Sequence, residues 1–131
     1  MKTLILTVGL PRSGKSTWAM KTGFPVVNPD SIRLAVHGQP FIPEAEPLVW
    51  VTAKMMVRAL FLAGHETVVL DATNLTEARR DEWNSSQWNT VYQVFQTPAD
   101  VCIDRAIKGD RQDLLPVIDH MNFNAQFPEE W

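Results

Sequence analysis

Eight consecutive residues constrain this chain more than any other feature. Gly9-Leu10-Pro11-Arg12-Ser13-Gly14-Lys15-Ser16 satisfies the pattern Gly-x-x-x-x-Gly-Lys-[Ser/Thr], and Thr17 follows it. The segment lies between a short apolar run of strand length, Thr3 to Val8, and a helical pattern from Lys15 to Lys21 that Gly23 closes. A strand, a glycine-bearing loop and a helix in that order form a unit whose loop amides can curl around an anion at the positive end of the helix dipole. Lys15 is placed to reach the β and γ phosphates of a nucleoside triphosphate, and Ser16 to offer its hydroxyl to Mg²⁺. Gly9 through Thr17 are therefore the candidate ATP-binding residues. Arg12 has two open readings, a phosphate contact or a solvated side chain.

The rest of the chain reads as alternating strands and helices. Pro25 to Asn28 is a brief second strand, and Asn28-Pro29-Asp30-Ser31 is turn chemistry leading into a short helix that ends at Gly38. Gln39 to Glu46, with two prolines, is a loop. A long helix runs from Pro47 to Ala63, with Leu48, Val51, Met55, Leu60 and Leu62 expected towards the core. Glu66 to Asp71 is a buried strand ending in a carboxylate. A helix from Glu77 to Trp88 capped by Thr76, a strand from Thr90 to Gln96 and a helix from Thr97 to a stop at Gly109 follow. Asp110 to Asp113 is a polar connector, Leu115 to Ala125 a final helix, and Phe127 to Trp131 a tail. This order predicts one α/β domain over residues 1–131, with a parallel sheet covered by helices on both faces. Ligands of such sheets sit beyond the carboxyl ends of the strands, where Gly9, Asp30 and Asp71 all fall.

Composition narrows the functional classes. With 45% apolar and 21% charged residues in 131 positions, the chain can bury a core as one domain. A net charge of −3 argues against indiscriminate binding to long nucleic acid. A single cysteine, Cys102, excludes an intrachain disulfide. Lys54 and Arg58 interrupt the most apolar stretch, so no membrane span is expected, and the absence of a signal pattern leads to a cytoplasmic expectation. His37, His65 and His120 lack metal-ligand spacing. The five tryptophans suit core packing better than base stacking.

Two carboxylates suggest phosphoryl-transfer roles. Asp71 closes Val-Val-Leu-Asp and either holds Mg²⁺ through water, orients a nearby base or arginine, or caps a helix or turn in Asp71-Ala72-Thr73-Asn74. Asp30 and Arg33, three apart on one helix, can face one site; a hydroxyl kinase needs a carboxylate to take a proton and a cation to hold the acceptor. The plainer reading makes Asp30 a helix cap. Arg105, Lys108 and Arg111 surround Gly109, and Arg111, beyond the glycine, is the first candidate for a mobile arginine over the transferring phosphate.

These residues carry a resemblance. Lys2 to Ala19, KTLILTVGLPRSGKSTWA, resembles the start of the phage polynucleotide 5′-kinases, and so do NPDSIR at Asn28 to Arg33 and DATNLTEARRDEW at Asp71 to Trp83. In that family the aspartate abuts Thr-Asn, whereas here Ala72 separates Asp71 from Thr73-Asn74. The resemblance implies a P-loop, three-layer α/β/α fold with a four-stranded, mainly parallel sheet and a helical lid. It also implies that Lys15, Ser16 and Thr17 bind ATP and Mg²⁺, that Asp30 is the base, that Arg33 holds the acceptor phosphate and that Arg111 belongs to the lid. The first functional expectation is ATP-dependent transfer to the 5′-hydroxyl of a polynucleotide. The second is a kinase of a small metabolite, nucleotide or sugar nucleotide, and the third a nucleotide-binding NTPase without transfer, because a fold does not fix a substrate.

Overall fold

The structure, a computed structural model, describes residues 1–129. The last two residues of the expected tail, Glu130 and Trp131, lie outside the described residues. The strands are β1 (Thr3–Val8), β2 (Val26–Val27), β3 (Thr67–Leu70) and β4 (Asn89–Val94). The helices are α1 (Lys15–Lys21), α2 (Pro29–His37), α3 (Glu46–Leu62), α4 (Glu77–Asp81), α5 (Ala99–Lys108) and α6 (Leu115–Asn124). Single 3-10 turns, Pro43–Ala45 and Gln112–Leu114, lead into α3 and α6.

The four strands form one parallel sheet in the order β2-β3-β1-β4. β1 is central, pairing Leu4 with Val68 on one side and with Thr90 on the other. The chain first builds the β3 and β2 side, then crosses β1 to place β4, and this reversal opens a crevice at the carboxyl end of β1. Two cores flank the sheet in a three-layer α/β/α arrangement. Leu4, Leu6, Val27, Val68 and Leu70 pack with Ile32 of α2 and with Val49, Ala53, Val57 and Phe61 of α3. Val8 and Leu10 pack with Leu75, with Cys102 and Ala106 of α5 and with Ile118 of α6.

Two sequence expectations need correction. α3 buries Val49, Ala53, Val57 and Phe61, a stripe at i+4 spacing, while Leu48, Val51, Met55 and Leu62 are exposed and only Leu60 of the expected set packs on the core. The helix carries apolar residues on more than one face, so periodicity alone could not choose between them. The second correction is α4, which stops at Asp81 instead of reaching Trp88. Trp83 and Trp88 both enter the core, and the Trp88 indole N–H donates to the Trp83 carbonyl at 2.9 Å. The chain leaves the helix in a turn at Glu82-Trp83 and bends again from Ser86 to Trp88, which brings both rings to the core.

Candidate active site

The loop between β1 and α1 is shaped by its sequence. Gly14 has φ 105°, a left-handed conformation that favours glycine, and it stands at the N-terminus of α1 with no side chain capping the helix. The first amides of α1 thus have no intrahelical acceptor and remain available to an anion. Gly9 is required for packing: a Cβ there would meet Ser13 Oγ at 2.7 Å and Phe95 at 3.0 Å. Its own N–H donates to the Thr73 carbonyl at 3.0 Å, so Gly9 ties the loop to the neighbouring strand end rather than facing the ligand.

A cavity of about 1030 Å³ opens here, lined by Pro11 through Trp18 of the loop and α1, by Asp30, Arg33 and Trp50, by Asp71 and by Arg105 and Arg111. Of the nine expected ATP-binding residues, Pro11, Arg12, Ser13, Gly14, Lys15, Ser16 and Thr17 line it, while Gly9 and the buried Leu10 stand behind.

Lys15 is buried, and its ammonium donates to the Leu10 carbonyl and to Ser13 Oγ at 3.4 Å. Burial lowers its pKa from 10.5 to about 8, against the opposing pull of the Asp71 carboxylate. The ammonium thus curls back onto its own loop.

Asp71, at the end of β3, is buried and does not cap a turn. Its Oδ2 accepts from Ser16 Oγ at 2.7 Å and from Asn28 Nδ2 at 3.0 Å, and Oδ1 lies 3.4 Å from Thr7 Oγ1. The following loop is pinned against β1: Asn74 Nδ2 donates to the Thr7 carbonyl at 2.8 Å, and the buried Arg80 donates to the Asn74 carbonyl at 2.9 Å. Ser16 and Asp71 together present the hard oxygen donors that Mg²⁺ prefers, so the residues present fit that ion.

Asp30 is not the cap of α2. Asn28 is, with Oδ1 accepting from the Ser31 amide at 3.2 Å. Asp30, one residue inside the helix and exposed, takes Arg33 Nη1 at 2.7 Å. Arg33 is itself gripped by Glu46, Nε at 2.9 Å and Nη2 at 2.6 Å, in a bidentate pair. Those bonds hold the Glu46 carboxyl below the usual carboxylate range.

On the opposite wall Arg105 Nη1 donates to the Arg12 carbonyl at 3.1 Å, and Arg12 takes φ 66°. Arg111 also lines the cavity but is paired with Asp113 at 3.0 Å. Lys108 pairs with Asp104 and points elsewhere. Lys54 and Arg58 do not reach the cavity; Lys54 lies over Trp83. Sequence reading missed Glu46, Trp50, Asn28 and Thr7. Asn28 was within reach as the polar residue before Pro-Asp, but Glu46 is 13 positions from Arg33 and nothing local links them.

A four-stranded parallel sheet with this loop at its switch point defines a P-loop kinase-like, nucleotide-binding fold. The chain matches the AAA domain family over residues 4–127 and belongs to it. Among solved structures, a chain of the Pnkp1/Rnl/Hen1 complex is 27% identical, with TM-score 0.71 over 79% of this chain and 38% of its own. A chain of the Pnkp1/Rnl/Hen1 RNA repair complex is 19% identical, with TM-score 0.70 over 96% of this chain and 47% of its own. The APS kinase CysC of Mycobacterium tuberculosis, in complex with AMPPNP and APS, is 20% identical, with TM-score 0.59 over 82% of this chain and 70% of its own. The last two likenesses concern the fold alone. The chain spans less than half the length of the Pnkp1-complex chains it matches. Among the described residues no helix is long and apolar enough to cross a membrane.

Proposed function

We propose that the protein transfers the γ-phosphoryl group of ATP to a hydroxyl, and that the acceptor is the 5′-hydroxyl end of a polynucleotide. The observation that carries this reading is a single cavity holding three components. They are the phosphate loop with Lys15 and Ser16, the buried Asp71 at 2.7 Å from Ser16, and the exposed Asp30 carboxylate facing the same space.

The loop amides and Lys15 bind the triphosphate and orient its γ-phosphorus. Asp30 takes the proton from the acceptor hydroxyl as that oxygen attacks the γ-phosphorus, and the β–γ bridging oxygen leaves with ADP. Arg33 holds Asp30 in place through Oδ1 and offers its remaining N–H groups to the acceptor's phosphate. Arg105 and Arg111 supply positive charge from the other wall, and Arg105 joins Arg111 as a lid candidate because its guanidinium already touches the phosphate loop. Ser16 and Asp71 would hold Mg²⁺. When bound, that ion neutralises charge on the β and γ oxygens.

Polynucleotide as acceptor is supported by the NPDSIR and DATNL segments and by the likeness to a Pnkp1-complex chain. Labelled ATP offered to 5′-hydroxyl DNA, 5′-hydroxyl RNA, nucleosides and a metabolite panel tests it. Labelled oligonucleotide is the expected product. A labelled small molecule instead would place the chain with small-acceptor kinases, and free phosphate alone would remove transfer from the account. In the same assay Asp30→Asn is expected to lower transfer by roughly 10² to 10⁴ with ATP affinity retained; transfer at the wild-type rate would take the base away from Asp30.

A further inference from the structure

The cavity wall beyond Arg33 carries a group that phosphoryl transfer does not use. Trp50 of α3 lines the cavity, and two guanidinium groups lie over its indole, Arg79 Cζ at 4.1 Å and Arg33 Cζ at 5.8 Å from the ring centroid. The core residue Trp83 meets the same ring edge-on, 6.5 Å between centroids, which fixes its orientation.

The two arginines are not equivalent. Arg33 is committed to Glu46 and Asp30 and is mostly buried. Among the described residues Arg79 is paired only with Glu82, an exposed partner three residues on at the end of α4, and such a pair holds a side chain weakly. Its side chain stays 35% exposed beside the cavity, behind Trp50 of the lining wall. A guanidinium carbon 4.1 Å above a ring centroid packs against that face, so Arg79 covers Trp50 and carries the wall outward from it. Glu46 and Glu82 both lie close enough to offset its charge. What remains for a ligand is therefore the flat outer face of the guanidinium rather than a strong point charge. That surface suits a nucleobase, which stacks on arginine planes and aromatic rings.

We infer that Arg79, backed by Trp50, is the stacking platform for a base at the first or second nucleotide of the acceptor. The acceptor is then recognised as a nucleobase-bearing strand, and not as a bare hydroxyl on a sugar or phosphate. This inference rests on the proposed transfer to a 5′-hydroxyl end.

The test compares a 5′-hydroxyl oligonucleotide with versions made abasic at the first or the second position, in the wild type, in Arg79→Ala and in Arg79→Lys. Wild type should lose roughly ten- to hundredfold in kcat/KM when the stacked base is removed. Arg79→Ala should show that same loss with the intact strand and no further loss with the abasic one, while KM for ATP is unchanged. Arg79→Lys, which keeps the charge without the plane, should behave like Arg79→Ala. Three results overturn the platform and leave the transfer reading standing: wild type indifferent to both abasic sites, Arg79→Ala retaining the full intact-to-abasic ratio, or Arg79→Lys restoring it. Wild type that phosphorylates no oligonucleotide overturns the acceptor assignment and the platform with it.

Discussion

Lys15 shows how function and stability oppose each other at a single residue. Its ammonium is buried, satisfied by the Leu10 carbonyl, and burial brings its pKa down to about 8. Between that value and the 10.5 of an exposed lysine, the unfolded chain keeps a proton that the folded chain has released. Stability contributed by this site therefore rises as pH climbs through that window and is lowest below it, where both states are charged and the folded one bears the full cost of burial. Lys15→Met should raise stability at neutral pH by an amount on the order of a few kcal/mol, read as a higher denaturant midpoint. It should also flatten the rise in stability between pH 8 and 10.5 seen for the wild type. An unchanged midpoint with an unchanged pH slope would show that the ammonium is not buried in solution. Binding has the opposite sign, because a polyanion needs the charged amine: ATP affinity of the wild type should weaken as pH rises above about 8.

Among the elements, α2 illustrates what a few residues can encode. Asn28 caps the helix through Oδ1 and, through Nδ2, holds the Asp71 carboxylate across the sheet. Asn28→Ala should cost about 0.5 to 2 kcal/mol from the lost cap. It should also raise the Mg²⁺ concentration needed for half-maximal ATP binding, because Asp71 loses a positioning donor. Urea denaturation reads the first effect and titration at varied Mg²⁺ the second; a loss of stability with the Mg²⁺ requirement unmoved would limit Asn28 to capping.

Where local chemistry decides an element, the sequence spelled it out. β1 and α1 end where the apolar patterning, Gly9 and Gly23 say they should, α1 at Lys21, and α2 stops at Gly38 with φ 68°. α4 was overestimated because Glu77 to Trp88 has good helical pattern, yet two indoles compete for the same core and the chain turns to bury both. Trp83→Ala should cost about 3 to 5 kcal/mol, as for other large buried aromatics. A loss under 1 kcal/mol in thermal or urea unfolding would mean that the turn, not the ring, stabilises this segment.

At the scale of the whole molecule, strand order explains why residues as distant as Ser16, Asp30, Asp71 and Arg105 share one cavity. β1 lies between β3 and β4 and every pairing is parallel, so the segments that follow β1, β2, β3 and β4 all leave the sheet at the same end. The phosphate loop and the carboxylates at strand ends were legible because each carries a local signature. The clamp of Glu46 on Arg33, the arginines stacked on Trp50 and the choice of the Val49-Ala53-Val57-Phe61 stripe were not. They arise from packing between elements that are brought together only when the sheet is complete.

The central claim is that the β1–α1 loop binds triphosphate through Lys15 with Ser16 and Asp71 beside it. Calorimetric titration of ATP with Mg²⁺ into wild type and Lys15→Ala tests it most directly. Saturable one-to-one binding by the wild type, lost or severely weakened in the variant, is the result this account predicts. Equal affinity of the two proteins would contradict it.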